Sequence, residues 1–279
     1  MNKPNHDTVK NPEAKKPEPL KEADKPKLGS ARINAELVYS ILAKDYPTYD
    51  EFKILLENVS TGVLAKRYLH SGLPKVFEKE PHKYLAFRES LARVFRVASQ
   101  NIAVMGSARF GFSTSPRKQE AGEKQLDENS DMDLVIIAPD FFQRALELFA
   151  DFSFSALRDV SALKSDPDRK KDEKVEVSKN DLVAIRRRSK SLNFGYVNPA
   201  DFEDGSIEKQ AFYDMKREAG MLLLGTAPPG PISRVGAWIY RDWDAAERMY
   251  EFSFRQFGKS VGVNSADEQN SEDPLGDDD

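Results

Sequence analysis

The chain of 279 residues contains no cysteine. A disulfide framework, a thiolate metal site and a cysteine nucleophile are therefore excluded. Histidine is scarce as well, with only His6, His70 and His82. That argues against a multi-histidine zinc centre and against most histidine-based triads. Long apolar runs are also missing. The longest, 134–139 and 221–224, fall far short of the ~20 residues that cross a bilayer. The opening MNKPNHDTVKNP lacks the apolar stretch of a secretory signal. These absences predict a soluble, cytoplasmic protein with no membrane partner.

Hydrophobic residues make up 39% of the chain and aromatics 10%, enough to build a core in a chain of this length. Charged residues reach 32% and the net charge is -4, but the charge is unevenly spread. Residues 1–32 hold eight basic and five acidic side chains, and residues 264–279 hold seven acids and no base. Residues 33–263 are left without net charge. Prolines 4, 12, 17, 19 and 26 among lysines and glutamates cannot bury enough apolar surface to offset the ordering entropy, so 1–32 is predicted to be a disordered tail. The acidic segment 264–279 is predicted to be disordered for the same reason. One folded domain is expected over 33–263.

Within that domain the hydrophobic period changes along the chain. Leu37, Val38, Ile41 and Leu42 share a helical face. Thr48 and Glu51 have the spacing of a capping box, followed by Phe52, Leu55, Leu56 and Val59 at helical intervals. Phe87, Leu91, Val94 and Phe95 form another helical stripe after the turn-like SGLP at 71–74. Residues 101–105 are a short, mostly apolar run ending in Gly106, and 131–138 are polar at first and then apolar; both read as strands. Between them, 114–130 reads as a loop. A helix opens at Pro139-Asp140, and 164–179 reads as a charged insertion with a short strand at 175–177. A helix over 206–224, a strand over 235–240 and a closing helix with Trp243, Ala246, Met249, Tyr250, Phe254 and Phe257 on one side complete the pattern. Strands interleaved with helices predict an α/β (α+β) fold: a small mixed sheet with a helical N-terminal extension.

The stretch that carries chemistry is Met105-Gly106-Ser107 followed by Ser130-Asp131-Met132-Asp133-Leu134. Residues i and i+2 of a strand point to one face with Cα atoms ~7 Å apart, so the Asp131 and Asp133 carboxylates can approach to about 4 Å. At that range two negative charges repel by roughly 4 kcal/mol at an effective dielectric near 20. A divalent cation removes the conflict, and two carboxylates with phosphate oxygens and water supply the oxygen shell that Mg²⁺ (or Mn²⁺) takes. A glycine at the strand end lets backbone amides approach an anion closely. The Ser107 hydroxyl adds a donor, Ser113, Thr114 and Ser115 offer others, and Arg109 offers a positive fork suited to phosphate.

A strand ending in Gly-Ser, then an Asp-x-Asp opening the next strand, resembles the nucleotidyltransferase superfamily with the polymerase-beta-like fold. GSARFGFS followed by SDMDLVII is similar to bacterial nucleotidyltransferase-like proteins. The resemblance covers about residues 101–150, and IYRDWDAAERMYEFSF at 239–254 fits the same pattern. It implies ATP or another NTP as substrate, with Gly106 and Ser107 on the triphosphate and Asp131 and Asp133 on magnesium. The implied reaction moves a nucleoside monophosphate to an acceptor (RNA, protein, nucleotide or small molecule) and releases pyrophosphate. It extends to toxin–antitoxin and antiviral defence roles. Two departures stand out: the loop between Ser107 and Asp131 is long, and the family's third carboxylate has no obvious place. Asp242 and Glu176 are its candidates. Without one, the alternative is a catalytically silent nucleotide-binding or interaction module.

Outside that constellation, Arg186, Arg187, Arg188 and Lys190, with Phe194 and Tyr196 close behind, have the composition of a phosphate-gripping, base-stacking surface; a solvated helix face explains the same run. Tyr240 and Trp243 are further stacking candidates, while His70 and His82 read as surface or local packing residues.

Overall fold

A computed structural model describes residues 35–116, 123–127, 130–164, 179–202, 205–223, 234–263 and 266. The predicted tail 1–32, all of the predicted tail 264–279 but residue 266, most of the charged insertion with the 175–177 strand, and Glu176 lie outside the described residues. The fold is mixed α+β around one four-stranded sheet.

Four helices come first: α1 (Ala35–Leu42), α2 (Tyr49–Asn58), α3 (Thr61–His70) and α4 (Pro81–Phe95). Thr48 and Glu51 make the predicted capping box, with the Glu51 carboxylate accepting from the Thr48 amide at 2.9 Å. The Ser60 hydroxyl accepts from the Val63 amide and starts a separate α3, a break the apolar spacing of α2 did not signal. Strand β1 (Ile102–Met105) leads through Gly106 into the single turn α5 (Ser107–Phe110). β2 (Asp131–Ile137) runs into α6 (Pro139–Lys164). After α7 (Lys179–Asn193) come β3 (Tyr196–Val197), α8 (Ile207–Leu223), β4 (Arg234–Tyr240) and α9 (Trp243–Ser260).

The sheet order is β1-β2-β4-β3. β2 pairs antiparallel with β1 and parallel with β4, and β3 pairs antiparallel with β4. Central β2 is apolar on both faces beyond its first three residues because both faces are covered. Met132, Leu134 and Ile136 pack into a core with Phe87, Leu91, Phe142, Phe212 and Met215 from α4, α6 and α8. Val135 and Ile137 face the other core, built from Phe52, Leu64, Tyr68, Phe254 and Phe257 of α2, α3 and α9. Asp131 and Asp133 lie on this second face, at the end of β2 where the apolar filling stops. At the centre of that core, Phe52 contacts five rings: Tyr68, Phe110, Phe112, Phe254 and Phe257, with centroids 5.0–6.0 Å away. Phe110 and Phe112 belong to the segment that follows the Gly-Ser turn, so the helical layer and the turn share one hydrophobic anchor.

Among the described residues no helix is long and apolar enough to cross a membrane.

Candidate functional site

Register builds the site. Asp133 stands opposite Met105 on β1 and opposite Gly236 on β4, so its carboxylate lies between the Gly106 turn and a glycine of the neighbouring strand. Both glycines leave room for it. A Cβ at Gly106 would fall within contact distance of Asp133 Oδ2, and one at Gly236 would stand 3.6 Å from Oδ1. Gly106 has φ 66 and ψ -150, a backbone region open almost only to glycine. This conformation turns β1 into α5 with the peptide close against Asp133.

A cavity of about 230 Å³ opens here. One wall is Gly106, Ser107, Ser113, Thr114, Ser115 and Pro116, and its floor is Asp131 and Asp133. The structure thus brings together the two acids, the Gly-Ser turn and the three hydroxyl residues read from the sequence. The Ser107 hydroxyl donates to the Asp131 carbonyl at 3.3 Å, tying the turn to the start of β2. The Ser113 hydroxyl accepts from the Ser115 amide at 3.2 Å, and the Ser113 amide donates to the Lys124 carbonyl at 2.8 Å. The loop is thereby folded against its own far side. Asp131 Oδ1 is buried and has no hydrogen-bond partner. A buried carboxylate oxygen in that state carries a desolvation penalty that a cation or donor would relieve.

The opposite wall is one the motif did not reveal: Trp238 and Tyr240 of β4, and Met249, Tyr250 and Ser253 of α9. Trp238 and Tyr240 follow Gly236 at two-residue spacing, so they share its face. Desolvation raises the Tyr240 and Tyr250 phenol pKa values, and the Asp133 charge adds to the rise in both. Both phenols stay protonated and can donate. The alternation 236, 238, 240 was the available signal; reading it required the parallel pairing of β4 with β2.

Three sequence expectations resolve differently. Arg109 does not reach the cavity. It is 1% exposed and points into the helical layer, where Nη2 donates to the Ser71 carbonyl at 2.6 Å. One helical turn after Gly106 carries its side chain behind the cavity-facing side of the turn. Asp242 is no third carboxylate. It is the N-cap of α9, accepting from the Ala245 amide at 2.7 Å and bonding Arg241 at 2.8 Å, and it follows β4 at the end away from Gly236. The site-facing positions of β4 are Arg234, Gly236, Trp238 and Tyr240, and no cluster of three metal-ligating side chains occurs among the described residues. Tyr196, offered as a base-stacking residue, instead packs its ring against Trp238 and Tyr240 at 5.3 and 5.7 Å.

In the arginine run on α7, Arg187 pairs with the Asp201 carboxylate and Arg188 donates to the Asp201 carbonyl at 2.6 Å. These bonds hold α7 to the turn at Pro199–Asp201. His70 meets Glu247 at 2.7 Å and packs its ring, tilted by 52°, against Trp243 at 4.4 Å, fastening α3 to α9.

Comparison with protein-family models, with curated proteins and with solved structures finds no match.

Proposed function

We propose that the protein is a magnesium-dependent nucleotidyltransferase that transfers a nucleoside monophosphate from an NTP to an acceptor. The observation that carries the reading is the juxtaposition of Asp131 and Asp133 with Gly106, Ser107, Ser113, Thr114 and Ser115 around one cavity.

The donor set suits the implied metal. Two carboxylates on one strand face, one with a buried oxygen lacking any partner, are hard oxygen ligands of the kind magnesium takes alongside phosphate and water. When bound, magnesium would neutralise the polyphosphate and polarise the bond that breaks. The chain's own residues do the rest. Gly106 admits the triphosphate close to the backbone, the Thr114 and Ser115 hydroxyls orient its oxygens, and the Ser107 hydroxyl joins them by exchanging its long bond to the Asp131 carbonyl for a phosphate oxygen. The walls from β4 and α9 exclude water from the reacting centre. The acceptor hydroxyl attacks the α-phosphorus in line; the new oxygen–phosphorus bond replaces the α–β phosphoanhydride bond, and pyrophosphate and the hydroxyl proton are released to solvent. Catalysis rests on positioning and charge neutralisation rather than on covalent chemistry by the protein.

A second reading is favoured by one specific observation: β4 offers no carboxylate at its site-facing positions. On that reading the chain binds nucleotide without turning it over. Calorimetry with ATP and GTP in magnesium tests both readings, comparing wild type with the double variant Asp131→Asn/Asp133→Asn. Binding by wild type that falls at least a hundredfold in the variant is expected. Equal binding by the two proteins refutes the site. Pyrophosphate release on adding total cell RNA or protein separates the enzyme from the silent binder.

A further inference from the structure

Arg109 is among the largest fully buried side chains, and its guanidinium is poorly satisfied. Nη2 donates to the Ser71 carbonyl, whereas Nε and Nη1 are buried with no hydrogen-bond partner. No described carboxylate lies within ion-pair distance. Asp45, an acid whose charge reaches it, is engaged by Arg67 at 3.3 Å and by the Leu73 amide at 3.1 Å. The face of Tyr68, 5.5 Å from the guanidinium carbon, gives partial compensation, but the Tyr68 hydroxyl is itself buried and unpartnered. Burial lowers the Arg109 pKa to about 10, so the group remains a cation at neutral pH.

A buried, unpaired charge is costly, and replacing it with an apolar side chain of similar volume commonly stabilises a fold. Such a cost persists where the charge serves another purpose. Arg109 sits two residues beyond Ser107, with its amide bonded to the Gly106 carbonyl at 3.1 Å. Its backbone therefore stands immediately behind the Gly-Ser turn, and its side chain leaves on the side away from the cavity, so the buried charge at Ser71 lies about one arginine side chain's length from the turn, where solvent screens it little.

We infer that Arg109 is a positioning residue whose buried, unpaired charge draws a polyphosphate onto the Gly106-Ser107 turn without touching it. This rests on the reading of the cavity as a triphosphate site. The ligand class it favours is a polyanion: the charge acts on the phosphate chain and leaves a neutral nucleoside unaffected.

The test pairs Arg109→Met with Arg109→Lys and measures two quantities. Thermal melting of Arg109→Met is expected at or above that of wild type, the opposite of what a purely structural arginine gives. Calorimetry with magnesium and inorganic tripolyphosphate is expected to show about tenfold weaker binding by Arg109→Met, the scale of one partly screened charge. Arg109→Lys should stay within about threefold of wild type, and adenosine should bind all three proteins alike. The inference is overturned by a melting temperature several degrees lower in Arg109→Met, by undiminished tripolyphosphate binding, or by a lysine variant no better than methionine. If wild type binds no tripolyphosphate, the triphosphate reading itself fails. If wild type binds it and Arg109→Met binds it equally, only the role given to Arg109 fails.

Discussion

Asp133 is flanked by two glycines, and adding one methyl group at each should have opposite consequences. At Gly106 the new Cβ meets Asp133 Oδ2 and approaches the carboxylate carbon to 3.3 Å, at φ 66 and ψ -150. Holding a non-glycine residue in that region costs about 1–3 kcal/mol. Displacing the carboxylate adds to this, so Gly106→Ala should destabilise the fold by about 2–4 kcal/mol. At Gly236 the nearest atoms are Asp133 Oδ1 at 3.6 Å and the Met132 carbonyl at 3.9 Å, both at ordinary van der Waals distance. The strand backbone there accepts any residue, and alanine lowers the chain entropy lost on folding. Gly236→Ala should therefore be neutral or stabilising by up to about 1 kcal/mol. Urea denaturation of both variants measures the difference through the midpoint, provided the slope is unchanged. A Gly106→Ala protein as stable as wild type, or a Gly236→Ala protein as damaged as Gly106→Ala, would refute the account of how the carboxylate is seated.

Phe52 touches five aromatic rings and is fully buried, so Phe52→Ala should cost about 3–5 kcal/mol in chemical denaturation. A loss below 1 kcal/mol would show that the helical layer does not anchor the loop after α5. The phenols give a pH prediction. Burial raises the pKa of Tyr68 to about 12 and raises those of Tyr240 and Tyr250, while unfolded tyrosines ionise near 10. The native state therefore holds these protons after the unfolded state has released them, and stability is full below pH ~10 and falls as pH rises above it. Melting temperatures recorded from pH 8 to 11 should decline only in the upper part of that range, and Tyr68→Phe should shallow the decline; an identical slope in the variant would contradict the assignment.

How legible the site was from sequence depended on how local its determinants are. Asp131 and Asp133 share a face because a strand alternates, and Gly106-Ser107 ends a strand because the apolar run stops there. Both follow from spacing alone, and so does the Thr48 capping box. Arg109 went the other way because one helical turn decides which side of α5 its side chain leaves from, and the acceptor at Ser71 comes from a distant loop. Of the aromatic wall the sequence offered only Tyr240, as a stacking candidate beside Trp243, which does not line the cavity; the rest was hidden for a related reason. Trp238 and Tyr240 face Asp133 only through a parallel pairing between segments about a hundred residues apart in sequence. Tyr250 read simply as part of an apolar helix stripe. β3 escaped notice because two residues carry no period, and its Tyr196 becomes intelligible only when set beside Tyr240.

The adjacency of β2 and β4 has a consequence for biosynthesis. Everything from residue 138 to 233 must leave the ribosome before β2 acquires its second neighbour. Until then the nascent chain carries a highly apolar strand with an open edge, hydrogen-bonded only to β1. Distant pairings of this kind form slowly. The acids at its start, having no aromatic wall, would remain in water throughout that interval. The complete cavity should consequently arrive all at once and late in synthesis, when β4 slots into place, and a chain arrested before residue 234 should be an aggregation hazard rather than a partly built site.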